Sequence, residues 1–371
     1  MQRRRFVAAV GAGVGASLLP PFAQPAAASL PPGAPAGLLQ LNSNENPYGP
    51  APGAVRAMNA SARAAARYPD AAQEALVDAI ARAHGVDREE IVLGCGSSEI
   101  LQVSDQAFLG PGKKVVAAEP TFEAVLAYAK ATRAEAVKVP LTDDFRHDLA
   151  AMALACGPDT GLVYLCNPNN PTGTIVSRDE MAAFLKAVPR TAAVLVDEAY
   201  HHFVQDPRYA SALTLREAHP NVVVARTFSK IHGLAGMRLG YAVAPKPSAQ
   251  ALREFVSWDN TNAAVLAAAT ASLADTAHVD AQRQKLNATR QRLCDALAKE
   301  GRRFIPSHAN FVMIQTGADV KPLVEAFRAR GVLVGRRFAA MPTWLRVSIG
   351  TDEEMRTFLG LLRELAGPRP V

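Results

Sequence analysis

Residues 226–241 read Arg-Thr-Phe-Ser-Lys-Ile-His-Gly-Leu-Ala-Gly-Met-Arg-Leu-Gly-Tyr and hold the side chains best equipped for covalent chemistry. A lysine amine becomes a nucleophile toward aldehydes once desolvation or nearby cations lower its affinity for a proton. Lys230 is preceded by Ser229 and followed at a short distance by Arg238. A hydroxyl and a guanidinium are the groups that would hold the phosphate of a phosphorylated aldehyde. Gly233, Gly236 and Gly240 let the intervening backbone turn sharply and approach a ligand. A Ser-Lys pair by itself is commonplace on protein surfaces, so its weight comes from the other motifs of the chain.

Those motifs recur at the ends of apolar runs. Residues 91–93, Ile-Val-Leu, form a short strand that gives way to Gly94-Cys95-Gly96-Ser97-Ser98-Glu99 and then to a helix. Free N–H groups and the helix dipole make such a junction an anion site, although plain capping by serine would give the same pattern. The strand at 161–166 runs into Asn167-Pro168-Asn169-Asn170-Pro171-Thr172-Gly173, a loop that its prolines keep out of the helical region. A capping box, Ser177 with Glu180, opens the next helix. The strand at 192–196 ends in Asp197-Glu198-Ala199-Tyr200. Upstream lie a turn-rich segment, Leu41-Asn-Ser-Asn-Glu-Asn-Pro-Tyr-Gly49, and Arg67-Tyr68-Pro69-Asp70, with Asp70 expected to cap a helix over 71–84.

Strands alternate with helices from about residue 75 to 245, the pattern of an α/β domain with a mostly parallel sheet covered on both faces. Ligands of such sheets bind beyond the carboxyl ends of the strands. Four of the motifs sit just past a strand, so the topology brings them to one edge. After Pro247 the pattern turns helical. A long helix over 279–300 and strands at 309–315 and 344–349 around a helix at 321–330 read as a smaller α+β domain. The expected organisation is residues 1–28 as a signal peptide and 29–66 as an N-terminal arm with part of the small domain. Residues 67–262 are then the large domain and 263–371 the small C-terminal one.

Composition excludes several classes. The 371 residues carry 49% hydrophobic and 20% charged side chains, values of a globular chain of about two domains. A net charge of +6, half of it from Arg3, Arg4 and Arg5, has no basic stripe interleaved with aromatics and gives no reason to expect nucleic acid. Beyond residue 30 no apolar run reaches the roughly 20 residues of a membrane span. Cys95, Cys156, Cys166 and Cys294 lack metal-type spacing and read as small buried hydrophobes. Arg3-Arg4-Arg5-Phe6, a weakly apolar run and Ala26-Ala27-Ala28 read as a twin-arginine export signal with its cleavage site, giving a periplasmic or secreted protein. The mature protein would have no membrane anchor, and a chain whose signal is not used would be cytoplasmic.

Taken together, these motifs resemble the fold-type I pyridoxal-phosphate aminotransferases of class I/II, and among them the histidinol-phosphate aminotransferase branch. The resemblance runs from about Leu41 to Leu365. It rests on Leu-Asn-Ser-Asn-Glu-Asn-Pro-Tyr-Gly, Tyr-Pro-Asp, Gly-x-Gly-Ser, Asn-Pro-Asn-Asn-Pro-Thr-Gly-Thr, Val-Asp-Glu-Ala-Tyr, Ser-Lys-x-x-Gly-Leu-Ala-Gly-x-Arg-x-Gly-Tyr and Leu-Arg-Val-Ser-Ile-Gly-Thr. It implies pyridoxal 5′-phosphate as cofactor and ping-pong transamination of an amino donor with a 2-oxo acid. Lys230 would form the Schiff base and move the Cα proton. Asp197 would keep the ring nitrogen protonated. Asn170 and Tyr200 would bond the ring hydroxyl, and Phe122 would stack on the ring, where the family often has Tyr. Gly96, Ser97, Ser98, Ser229 and Arg238 would hold the phosphate, with an acidic residue common in the family where Ser98 stands. Tyr68 would reach the cofactor of a neighbouring subunit, which implies a homodimer. Arg346 and Asn46 would contact substrate. Histidinol-phosphate enzymes usually carry an arginine directly after the Gly-Val-x-Val strand; here Gly335 follows Gly331-Val332-Leu333-Val334, with Arg336 and Arg337 displaced. A free amino acid, aromatic or other, is therefore a second candidate donor. A lyase or decarboxylase similar to the threonine-phosphate decarboxylases is the alternative reaction on this fold.

Overall fold

The computed structural model describes residues 37–367; the export signal expected at 1–28 lies outside them. The main sheet has seven strands. From one edge they are Ile91–Gly94, Gly240–Val243, Val222–Thr227, Ala193–Asp197, Thr160–Cys166, Lys114–Glu119 and Glu135–Pro140. All neighbours pair in parallel except Gly240–Val243, which runs antiparallel to both strands beside it. The central strands are β-branched and apolar along their length because both faces are covered. Alternate residues go to opposite cores: Val115, Ala117, Leu162, Tyr164, Leu195 and Val223 to one, and Val116, Ala118, Val163, Val194, Val196 and Val224 to the other. These sheet-forming residues have essentially no contact with water.

Three strands escaped the sequence reading, the two-residue Phe304–Ile305 among them. Glu135–Pro140 is a largely exposed edge strand whose Glu and Lys hide the apolar alternation. Leu39–Leu41, in the expected N-terminal arm, pairs in parallel with Val332–Val334. Three residues give no periodicity to read; the partner strand makes them a strand.

The second layer holds the antiparallel strands Trp344–Ser348, Phe311–Gln315 and Phe304–Ile305. Their core takes Leu286, Leu293 and Leu297 from the long helix Thr276–Lys299 and Phe358 and Leu362 from the helix Asp352–Ala366. The helix Ala263–Ala274, just past the boundary expected at 262, packs instead with Pro52–Ser61 and Asp70–His84 over the antiparallel edge of the main sheet. The chain crosses to the second layer with the helix after it.

Smaller corrections follow the same logic. The helix Asp70–His84 is capped by Pro69, and Asp70 is its first residue, where its charge still suits the dipole. The capping box of Ser177 and Glu180 is present. Of the cysteines only Cys166 is buried; Cys95 is exposed in the turn before the helix Ser97–Phe108, and all four are free thiols. No described helix is long and apolar enough to cross a membrane.

Candidate active site

The loops beyond the strand ends meet the second layer around a cavity of about 670 Å³. Lys230, Asp197, Tyr200, Asn170, Ser97, Ser98, Phe122, Ser229, Arg238 and Arg346 all line it. Strand order in the mostly parallel sheet carries its loops to one edge, which is why Ser97 and Arg238 converge although 141 residues apart; Arg346 comes to the cavity from the second layer.

Lys230 sits three residues past the Val222–Thr227 strand. Its Nζ donates to the Ser43 carbonyl at 3.0 Å and lies 5.7 Å from the centre of the Tyr200 ring. Burial, and then the cations Arg346 and Arg238, bring its pKa down to about 8. Asp197 ends the Ala193–Asp197 strand and is buried. Burial pushes its pKa up to about 6, against the opposing pull of its hydrogen bonds and of Lys230. Those bonds come from the Tyr164 hydroxyl to Oδ2 at 3.0 Å and the Ala199 N–H to Oδ1 at 3.1 Å. The cavity thus sets a lysine that sheds its proton easily beside a carboxyl group that burial resists ionising.

Arg346, the residue expected to meet a substrate carboxylate, lies on the Trp344–Ser348 strand. Arg346 donates to Asn170 Oδ1 at 2.6 Å and to the Asn42 carbonyl at 2.8 Å, while its buried Nε has no partner. An unpartnered guanidinium N–H in a buried site is a donor in reserve for an anion.

The residues expected to hold a phosphate also line the cavity or its edge. Ser97 and Ser98 are the first residues of the helix Ser97–Phe108, with Gly96 at its N-cap. The Arg238 guanidinium lies against Gly96 where a Cβ would stand, and Gly96 has φ +79°, so only glycine fits. Arg238 also reaches Ser229 Oγ at 3.5 Å and the Ala235 carbonyl at 3.0 Å. Helix N–H groups, two serines, Ser229 and a guanidinium form a cradle for a dianion. Phe122 is partly exposed to the cavity rather than buried in a core. Pyridoxal phosphate, with one aldehyde, one phosphate and one ring nitrogen, matches this donor set.

Two expected contacts are not made within the chain. Asn46 does not line the cavity: its Nδ2 donates to the Ile231 carbonyl at 2.9 Å and its Oδ1 accepts the Tyr48 N–H at 3.1 Å. Its amide ties the arm to the Lys230 loop and has little left for a substrate. Tyr68 is 76% exposed and outside the cavity. The residues that do line it from the arm are Asn42, Ser43, Asn44 and Glu45. The asparagine-rich motif was the signal for them; which of its asparagines points inward depends on partners that sequence spacing does not specify. Tyr164 was missed because it reads as an ordinary core aromatic.

Gly335 has a tight environment. Its N–H donates to the Arg346 carbonyl at 2.8 Å, and a Cβ there would come within 2.7 Å of that carbonyl oxygen and 2.9 Å of Arg346 Cβ. Of the two displaced arginines, Arg336 lines the cavity and pairs with Glu123 at 2.6 Å, while Arg337 pairs with Asp319 at 2.7 Å outside the cavity.

Comparison with known proteins agrees with this geometry. The profile of the family "Aminotransferase class I and II" matches residues 36–362. The chain is 40% identical to histidinol-phosphate aminotransferase of Moorella thermoacetica, over 88% of this chain and 85% of that one. It is 38% identical to aromatic amino acid aminotransferase of Cutibacterium acnes, over 85% and 89%. Histidinol-phosphate aminotransferase of Sinorhizobium meliloti, solved in complex with pyridoxal 5′-phosphate, superposes with a TM-score of 0.83 at 30% identity, covering 89% of this chain and 90% of that one. These similarities favour amino-group transfer over the lyase or decarboxylase alternative. The chain belongs to the class I and II aminotransferases, pyridoxal-phosphate-dependent enzymes of fold type I.

Proposed function

We propose that this aminotransferase moves the amino group of histidinol phosphate, or of a free amino acid, to a 2-oxo acid in two ping-pong half-reactions. The meeting of Lys230, Asp197, the Gly96–Arg238 cradle and Arg346 on one cavity carries this reading. Bound there, pyridoxal phosphate supplies an aldehyde for the donor amine and a ring that draws electrons from the donor Cα. Asp197 holds a proton at the ring nitrogen. Lys230 Nζ takes the Cα proton and returns it on the far side of the reaction, a task suited to an amine that titrates near neutrality. Tyr200 and Asn170 would hydrogen-bond the ring hydroxyl, and Phe122 would stack on the ring. Ser97, Ser98, Ser229 and Arg238 hold the phosphate, and Arg346 grips the carboxylate of the amino acid as a fork.

Two donors are in contention. The relatives named histidinol-phosphate aminotransferase support the first. Gly335, where an arginine is usual, and the similar aromatic amino acid aminotransferase support the second. A donor panel with 2-oxoglutarate separates them: the first requires turnover of histidinol phosphate, and brisk turnover of free aromatic amino acids with none of histidinol phosphate eliminates it. Absence of any keto product would remove both.

The exposed Tyr68 is read as completing the phosphate site of a second copy, making the enzyme a homodimer. Sedimentation at the working concentration tests this, and a catalytically active monomer would refute it. The Arg3-Arg4-Arg5-Phe6 segment is read as directing export of a protein already folded around its cofactor. Arg3→Lys with Arg4→Lys is expected to trap a folded precursor in the cytoplasm; unchanged export would point to the general secretory route.

A further inference from the structure

The arm residues 42–45 touch three of the side chains just assigned: Ser43 accepts from Lys230, Asn42 from Arg346, and Asn44 donates to Tyr200. The third contact differs from the other two, because it is made by a side chain and fixes where a proton points.

Asn44 is 1% exposed and holds φ +54°, a left-handed conformation that asparagine tolerates better than most residues. It is pinned from three sides. Its N–H donates to Ser348 Oγ at 2.8 Å, its Oδ1 accepts the Ser348 hydroxyl at 3.1 Å, and its carbonyl accepts Asn310 Nδ2 at 3.0 Å. These bonds settle which way the amide faces. Ser348 Oγ accepts from the Asn44 backbone and has one proton to give, and Asn44 Oδ1 is the acceptor in reach. With the amide turned over, that buried proton would lose its acceptor. Nδ2 is therefore the atom that meets Tyr200 Oη, at 3.1 Å.

An amide nitrogen only donates, so the Tyr200 oxygen is an acceptor in this contact. Its own proton must go elsewhere. Among the described residues no acceptor takes it, and Tyr200, 4% exposed, opens only onto the cavity. We propose that Asn44 is a positioning residue that turns the Tyr200 hydroxyl into a donor aimed at the cavity, where it meets the ring hydroxyl oxygen of the cofactor. The inference rests on the proposed reading of this site as a pyridoxal phosphate pocket. It adds a residue that acts on the ring through Tyr200, and it links the second layer, through Ser348 and Asn310, to the electronics of that ring.

The test uses Asn44→Gly, which keeps the left-handed backbone and the main-chain bonds but removes Nδ2, with Tyr200→Phe and the double variant. Each protein is loaded with pyridoxal phosphate, its fold is checked by thermal melting, and its visible absorbance is titrated with pH. Losing one hydrogen bond to the charged form of the cofactor is expected to move the midpoint up by about one pH unit, tenfold in the proton equilibrium. Tyr200→Phe should move it at least as far, and adding Asn44→Gly to that variant should move it no further. An unmoved midpoint in folded Asn44→Gly, or the same shift with and without Tyr200, overturns the proposal; a merely structural role would lower the melting temperature without this dependence on Tyr200. If the wild-type protein acquires no visible band with pyridoxal phosphate, the reading of the site itself fails, an outcome distinct from either of these.

Discussion

At the scale of single residues, two buried titratable groups of opposite habit line the cavity, Asp197 and Lys230. Asp197 is held up at about 6, so the native apoprotein binds more protons than the unfolded chain between about pH 4 and 6. Its ionisation therefore weakens the fold as pH rises through that window. Asp197→Asn is expected to stabilise the apoprotein at pH 7–8 by about 2–3 kcal/mol in urea titrations, with the gain gone below pH 4, while turnover collapses. Lys230 is the converse: brought down to about 8, it loses its proton in the native state first, and the cost of burying its charge is relieved as pH rises above 8. Lys230→Ala is expected to abolish the visible absorbance of the loaded protein and to cut turnover by about 10²–10⁴-fold or more. A variant with full activity would exclude Lys230 as the reacting amine.

At the scale of elements, the turns after the strands set the precision of the site. The Ile91–Gly94 strand and the helix Ser97–Phe108 are joined by a turn in which Gly96 leaves room for the Arg238 guanidinium. Gly96→Ala combines a strained φ with a clash against the Arg238 guanidinium, proposed to hold the phosphate. Pyridoxal phosphate is expected to bind roughly tenfold more weakly or worse, by equilibrium dialysis. Gly335 plays the same part for the substrate side, since its backbone seats that of Arg346. Gly335→Ala should push Arg346 off its fork geometry and raise KM for amino acids by about tenfold with a smaller change in kcat. The absent arginine at 335 is thus a matter of room as well as of side-chain type.

Across the whole molecule, the sheet is braced beneath the site by one ion pair away from water. Arg226 meets Glu198 Oε2 at 2.8 Å, with both side chains under 10% exposed, and Ser211 bonds to both partners. Removing one member strands the other charge. Arg226→Leu is expected to cost about 3–5 kcal/mol, read from denaturant midpoints, although Arg226 lines no part of the cavity. The exposed ion pairs, such as Arg336–Glu123, should contribute under about 1 kcal/mol each.

The order of motifs along the chain was enough to give the α/β sheet and the gathering of Lys230 with most of its cavity neighbours. Apolar β-branched runs can only be buried strands, and a parallel sheet brings the loops after them to one edge. That rule placed Lys230, Asp197, Asn170 and Ser97 together before any coordinate did. It could not find Glu135–Pro140, whose exposed face carries no apolar period, or Leu39–Leu41, which is a strand only because Val332–Val334 lies beside it. Nor could it choose among Asn42, Asn44 and Asn46. Three identical side chains in one short loop are told apart by their partners, Ile231 for Asn46 and Ser348, Tyr200 and Asn310 for Asn44. Sequence determines local preference and the order of the elements; hydrogen bonds between residues as far as 304 positions apart depend on where the folded backbone brings each group, and the tertiary structure alone decides that.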